Sequence, residues 1–231
     1  MPKILVSDYD GTLYTNFDEF KKNIEKIKKF INNGNIFIIA TGRNYLDIIK
    51  QTKYYKIPYD YIICNDGGTI FDKNDKLIYK KDIPDEISHD ILNYLIMNNL
   101  FDITYIDTGF DYTKEAVNNI NAIIVRDINR EQSKLILKNI LEKFKVTGYI
   151  SDNWINITEQ NVNKANAIKY LRKKLDFDKR KIYTIGNTIN DISMIKEFDG
   201  ACVKNATEDL KCECTKIFNS VADYIDYIEK E

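Results

Sequence analysis

Asp8-Tyr9-Asp10-Gly11-Thr12-Leu13 places two carboxylates two positions apart, directly after the short apolar run Ile4-Leu5-Val6. An apolar run that breaks into Asp-x-Asp-Gly reads as a buried strand ending in a loop. Side chains in extended backbone alternate faces, so Asp8 and Asp10 aim into one small volume at the strand's carboxyl end. Two carboxylates that close repel, and one takes up a proton unless a cation sits between them. Two kinds of chemistry follow. Either both aspartates serve a divalent metal, or one stays ionised while the other carries a proton. Against both stands an acidic turn in which Gly11 supplies a positive φ, and two aspartates by themselves favour the turn.

Three further polar groups occur in a similar setting. Thr41-Gly42-Arg43 follows the run Ile36-Phe37-Ile38-Ile39-Ala40, Gly186-Asn187-Thr188-Ile189-Asn190-Asp191 follows Ile182-Tyr183-Thr184-Ile185, and Asn163-Lys164-Ala165 opens a strongly periodic segment. Each has a plain structural reading. Thr41-Gly42 is ordinary strand-to-helix turn chemistry, Arg43 is a solvated residue at a helix start, and the Asn-rich loop caps a helix through Asp191 with Thr188 in the turn. Lys164 is one of many lysines, although a cation at a helix start is disfavoured by the dipole and needs a reason to be there. A carboxylate such as Asp8 would be that reason. Lys169, one turn later, is the weaker candidate because it lies deeper in the helix.

The elements that must position these groups follow from periodicity. Apolar residues at Phe20, Ile24, Ile27 and Ile31 predict a helix over 17–32, stopped at Asn33-Gly34. Strands are expected at 36–40 and 61–64, with a helix over about 44–54 between them. Continuous apolar strands alternating with helices mark a parallel sheet covered on both faces, and such sheets hold ligands at the carboxyl ends of their strands. The order then changes. A hairpin is expected at 69–71 and 77–79 around Asp72-Lys73-Asn74-Asp75. Helix, two strands, helix and two strands follow, at about 85–99, 101–106, 121–128, 130–144, 145–151 and 154–158. Residues 82–157 thus read as a small antiparallel α+β module inserted into a domain formed by residues 1–81 and 158–231. The parallel pattern resumes with a helix over about 163–175, strands at 182–185, 200–203 and 216–218, and helices at 192–198 and 221–229.

Composition excludes several function classes. The 231 residues are 44% hydrophobic and 30% charged, with a net charge of −1 and no basic stripe, so nucleic acid is not an expected partner. Asp8 and Asp10 interrupt any signal-peptide core, no apolar run approaches a membrane span, and the expected location is cytoplasmic. Cys64 and Cys202 lie in apolar runs and read as core residues, and Cys212-Glu213-Cys214 has no second pair to complete a metal site. His89, the single histidine, falls on a predicted helix surface. Trp154 and Tyr149 are expected to pack within the inserted sheet, while Tyr105, Asp107 and Tyr112 carry no signal that selects them for substrate.

Taken in order, Asp8-x-Asp10-Gly11-Thr12, Thr41-Gly42-Arg43, Lys164 and Gly186-Asn187-x-x-Asn190-Asp191 resemble the four motifs of the haloacid dehalogenase (HAD) superfamily of phosphotransferases. The inserted module is similar to that superfamily's C2-type cap, and the nearest likeness is to the Cof-like, sugar-phosphatase-type branch. The resemblance implies an α/β fold: a Rossmann-like parallel-sheet core with an inserted α+β cap. It also implies a Mg²⁺-dependent phosphatase of small phosphomonoesters, such as sugar phosphates. Asp8 would be the nucleophile that forms an aspartyl-phosphate and Asp10 the general acid, then base. Thr12, Thr41, Gly42, Lys164 and Asn190 would bind the phosphate. Asp8, Asp10 (through its backbone carbonyl), Asn187 and Asp191 would hold Mg²⁺, with Asp191 alternatively orienting Lys164. Asn187 departs from the family's usual aspartate and brings no charge to the metal. The implied partner is a small phosphorylated metabolite, for a monomer or weak homodimer. Two other readings stay open: a phosphomutase, disfavoured because residues 82–157 hold only Arg126 and Arg130, and a non-catalytic regulatory or binding protein, favoured only by Asn187.

Overall fold

A computed structural model describes residues 2–231 except Ala116, Asp127 and Asp152. The first part of the chain forms β1 (Ile4–Ser7), α1 (Phe17–Asn32), β2 (Ile36–Ala40), α2 (Tyr45–Tyr55), β3 (Tyr61–Cys64), β4 (Thr69–Asp72) and β5 (Leu77–Lys80). The middle forms α3 (Asp85–Met97), β6 (Thr104–Asp107), β7 (Tyr112–Thr113), β8 (Ala122–Val125), α4 (Arg130–Lys143), β9 (Val146–Ser151) and β10 (Trp154–Glu159). The last part forms α5 (Lys164–Leu175), β11 (Ile182–Gly186), α6 (Ile192–Phe198), β12 (Ala201–Val203), α7 (Glu208–Lys211), β13 (Lys216–Phe218) and α8 (Val221–Lys230).

The first and last parts build one eight-stranded sheet in the order β13-β12-β11-β1-β2-β3-β4-β5. All of its pairs are parallel except β3 with β4 and β4 with β5. β1 pairs with β2 on one edge and with β11 on the other, so the strand order reverses at β1. A crevice opens at such a reversal, outside the carboxyl ends of the strands, and Asp8, Thr41 and Asn187 each lie just past one of them. The inner strands β1, β2 and β3 are buried on both faces, as their unbroken apolar runs require. Helix α1 begins where the Asn16 side chain accepts from the Glu19 N–H at 3.0 Å and buries Phe20, Ile24, Ile27 and Phe30. Phe30, rather than the expected Ile31, completes the apolar stripe; Ile31 is only partly buried.

The middle part forms a separate five-stranded antiparallel sheet in the order β7-β6-β8-β10-β9, with its own apolar cluster. This sheet has one strand more than the periodicity predicts. β7 is two residues long, pairing Tyr112 with Asp107 and Thr113 with Ile106, and is too short to leave a pattern of its own. In the extended segment expected over 121–128, Ala122–Val125 form the strand and Asp127 lies outside the described residues. Register decides which side chains share a face. Ile124 stands opposite Tyr105 and Asn156, Asn156 opposite Tyr149, and Trp154 opposite Ser151. These residues therefore lie on one face, and Ile123, Val125, Ile155 and Ile157 lie on the other, in the cluster with α3 and α4 residues such as Ile91 and Ile140. Among the described residues no helix is long and apolar enough to cross a membrane.

Candidate active site

The floor of the site is a buried cluster of charge. Lys164, the first residue of α5, is fully buried, and its Nζ donates to Asp8 Oδ1 and to Asp191 Oδ1, both at 2.7 Å. The Asn163 side chain caps the helix by accepting from the Asn166 N–H at 2.9 Å, which fixes where the lysine starts. The unfavourable dipole at this position is offset by the two carboxylates. Burial by itself would push the Lys164 ammonium down, but Asp191, Asp8 and Asp66 together overcome it and hold it above the ordinary lysine range. Burial is also the largest influence on Asp8 and raises its carboxyl, to about 7, against the pull of Lys164.

Asp191 is held from both sides. Its Oδ2 accepts from the backbone N–H of Asn187 at 2.8 Å and of Thr188 at 3.1 Å, while Oδ1 takes Lys164. Gly186 makes this possible, because a Cβ there would fall 2.4 Å from Asp191 Cγ. Of its two expected roles, Asp191 visibly fills that of orienting Lys164. Thr12 is likewise placed below the surface. It is fully buried and donates its hydroxyl to Asn187 Oδ1 at 3.1 Å, which aims the amide rather than contacting a ligand. Gly11, at φ +75°, keeps this approach open, since a Cβ would meet Asn187 Nδ2 at 2.2 Å.

A cavity of about 550 Å³ lies between the strand ends and the second sheet, lined on the core side by Asp8, Asp10, Thr41, Gly42, Asn187 and Asn190 among others. The expected residues thus divide in two: these six line the cavity, and Thr12, Lys164 and Asp191 support them from beneath. Asp8 Oδ2 is buried and has no hydrogen-bond partner. Thr41 Oγ1 accepts from the Arg43 N–H at 3.1 Å, which leaves its hydroxyl proton to donate. Arg43 neither points to solvent nor stands free for an anion: its Nε and Nη2 grip the two oxygens of Asp10, each at 2.8 Å.

Two features of the site escape sequence reasoning. Asp66, in the Asn-Asp-Gly-Gly turn after β3, takes φ +54° and is almost fully buried. Its Oδ1 accepts from Asn190 Nδ2 at 2.8 Å and its Oδ2 from the Tyr149 hydroxyl at 2.5 Å, so a residue of the second sheet bonds directly to the core site. Burial and then Asp66 hold the Tyr149 phenol well above its ordinary range, as a donor. The available signal for Asp66 was position, a polar residue at the end of a parallel strand. The second feature is the opposite wall, made by Tyr112, Ile124, Arg126, Tyr149, Trp154 and neighbours. Tyr149 and Trp154, expected within the sheet packing, face the cavity instead, because they alternate with residues that fill the inner cluster.

The donors suit a hard divalent cation. The Asp8 carboxylate and the Asn187 amide both line this edge of the cavity, and such oxygens are the ligands a hard cation takes. Among the described residues no three His, Cys, Asp or Glu side chains gather as a metal cage. Charge makes the same case. Asp8, Asp10, Asp47, Asp66 and Asp191 surround the cavity and its floor against Lys164, Arg43 and Arg126. An oxyanion settles in that excess of negative charge only with a cation to offset it.

A family model described as haloacid dehalogenase-like hydrolase matches residues 5–122 and 103–225. The chain is 25% identical to 5-amino-6-(5-phospho-D-ribitylamino)uracil phosphatase from Bacillus subtilis, over 96% of the chain and 89% of that protein. It is 26% identical to phosphoglycolate phosphatase from Pyrobaculum islandicum, over 90% of the chain and 86% of that protein. A haloacid dehalogenase-like hydrolase from Bacteroides thetaiotaomicron shares the fold with a TM-score of 0.83 at 19% identity, covering 99% of this chain and 100% of that one.

Proposed function

The chain belongs to the haloacid dehalogenase-like hydrolases, and from that membership we propose that it hydrolyses small phosphomonoesters with Mg²⁺ through an aspartyl-phosphate on Asp8. The observation that carries this reading is Asp8 itself. It is a buried carboxylate at a cavity wall, anchored through Oδ1 by Lys164 and left with an unpartnered Oδ2. An anchored carboxylate with one free oxygen is arranged for in-line attack.

The other residues divide the remaining work. The Thr41 hydroxyl and the Gly42 N–H, both at the cavity, would hold the phosphoryl oxygens. Asp8 Oδ2 attacks phosphorus and the ester oxygen leaves with a proton from Asp10. Asp10 then takes a proton from the water that cleaves the acyl phosphate, which returns Asp8 as a carboxylate. The Arg43 fork matches an ionised Asp10, the form needed for the second half; giving a proton to the leaving group requires the fork to open. When bound by Asp8, Asn187 and the Asp10 carbonyl, Mg²⁺ would offset the phosphate's charge. Tyr149 and its neighbours form a cap over the leaving group, and a cavity of about 550 Å³ accommodates one the size of a sugar.

A phosphomutase would share this chemistry but must hold two phosphates. One arginine of the second sheet, Arg126, does line the cavity, so the two readings are separated by a mutase assay with a bisphosphate activator, which is expected to yield no isomerised sugar phosphate. The test is Asp8→Asn with p-nitrophenyl phosphate and Mg²⁺. Turnover is expected to fall to background while the fold persists, and a variant that kept the wild-type rate would end the proposal.

A further inference from the structure

The wall of the cavity opposite Asp8 carries a cation that the proposed hydrolysis does not use. Arg126 directly follows β8, and its N–H continues the ladder by donating to the Ile103 carbonyl at 3.0 Å. It lies two residues after Ile124, so both point to the cavity face of the second sheet, and both line the cavity. Its guanidinium carbon lies 4.1 Å from the centre of the Trp154 ring, 4.2 Å from Tyr105 and 5.1 Å from Tyr112. Three elements of the sheet thus supply rings to one cation. Its Nε is buried with no hydrogen-bond partner, and among the described residues no carboxylate lies within salt-bridge distance.

The neighbouring charges do not share this setting. Arg43, the other arginine of the cavity, is committed to Asp10. Lys114, 3.9 Å from the Tyr105 ring, donates to the carbonyls of Asp102 and Thr104 at 2.7 Å. Asp47 lines the cavity too, without an ion pair to Arg126. A guanidinium whose faces lie against aromatic rings is left with its edge donors, and that edge fits the paired oxygens of a carboxylate or phosphate. Arg126 is half-buried, with its Nε out of reach of solvent, which makes an arriving anion worth more there than at an open surface.

We propose that Arg126 and its aromatic surround form a second anion subsite, so that the preferred substrates are small phosphomonoesters whose leaving group carries a further carboxylate or phosphate. This rests on the phosphatase reading for the position of the first phosphate at Asp8. The subsite takes no part in the bond changes. It selects among substrates by their far end, and its contribution is to KM-controlled discrimination.

The test uses the full chain with Mg²⁺ and four substrates: 2-phosphoglycolate, fructose 1,6-bisphosphate, glucose 6-phosphate and p-nitrophenyl phosphate. The wild type is expected to prefer the first two. In Arg126→Gln the ratio of kcat/KM for 2-phosphoglycolate over p-nitrophenyl phosphate is expected to fall about 100-fold, the scale of losing one partner of a buried charge pair. Arg126→Lys, which keeps the charge and loses the fork, should fall between. The arms separate the source of the second charge: loss on 2-phosphoglycolate alone assigns a carboxylate, and loss on the bisphosphate alone a second phosphate. A ratio unchanged in both variants, or a wild type that prefers glucose 6-phosphate, overturns the subsite. Calorimetric titration of Asp8→Asn protein with 2-phosphoglycolate keeps the two readings apart. If no substrate turns over, yet adding Arg126→Gln weakens this binding, the subsite stands and the phosphatase reading falls.

Discussion

Replacing Lys164 with methionine removes the cation that two buried carboxylates share. The side chain is fully buried and bonds Asp8 and Asp191 at 2.7 Å each, so no water is at hand to take over. Breaking a buried ion pair by deleting one partner costs about 3 to 5 kcal/mol, because the other charge stays behind unpaired. For a chain of this length that corresponds to a drop on the order of 10 °C in Tm. The measurement is urea and thermal unfolding of Lys164→Met and wild type in the presence of a chelator, at a series of pH values. The sign follows from Asp8, whose carboxyl burial already pushes up and from which the variant removes the opposing pull. A carboxyl raised in the folded state gives its full stability below its unfolded pKa of about 3.9 and loses it as pH rises through the folded value. The deficit of the variant should therefore be small near pH 5 and largest near pH 8. A deficit under about 1 kcal/mol at pH 8, or one that does not grow with pH, would refute the picture of a lysine holding two buried carboxylates together.

Two further outcomes test the contacts between the layers. Tyr149→Phe deletes the hydroxyl that donates to Asp66 at 2.5 Å. Losing a hydrogen bond to a charged acceptor costs about 2 kcal/mol, read as a lower unfolding midpoint and faster hydrogen exchange in the second sheet; an unchanged midpoint would remove the link. Asp107 is buried, with Oδ2 unpartnered, and burial pushes its carboxyl up to about 6 although the Gly109 N–H and the amides of Asn65 and Asn44 pull it back. Its contribution is complete below the unfolded value and fades as pH rises through about 6, so Asp107→Asn should flatten the loss of stability between pH 5 and pH 8, by about 2 kcal/mol. Parallel slopes for variant and wild type would show that Asp107 is not the group responsible.

The large sheet was legible because its inner strands are buried on both faces. Ile36-Phe37-Ile38-Ile39-Ala40 and Tyr61-Ile62-Ile63-Cys64 need no partner to be recognised, and each ends where a polar loop begins. The motif residues were legible for the same reason, since the reversal of strand order at β1 carries them to one crevice. Depth was not legible. Thr12 and Asp191 have the right types at the right spacing, yet the backbone turns them inward to aim Asn187 and Lys164. The cavity wall of the second sheet was hidden more thoroughly. β8 is apolar at every position, Ala122-Ile123-Ile124-Val125, so alternation does not show which face is which until β6 and β10 fix the register. Tyr149 and Trp154 then move from packing residues to cavity wall. Arg43 and Asp66 depended on partners 33 and 83 residues away in sequence, and no local pattern carries such pairings.

The central place of β1 also governs how the molecule comes into being. Its edge toward β2 can pair early, but its other edge pairs Ile4 with Ile182. At a ribosomal rate of roughly 5 to 20 residues per second, the intervening chain takes on the order of 10 to 40 seconds to appear. During that interval an apolar strand with a free edge, Ile4-Leu5-Val6, stands open to pairing with any other extended segment. The second edge of β1 is therefore covered only once β11 has emerged, and the charged floor is completed only once α5 has supplied Lys164.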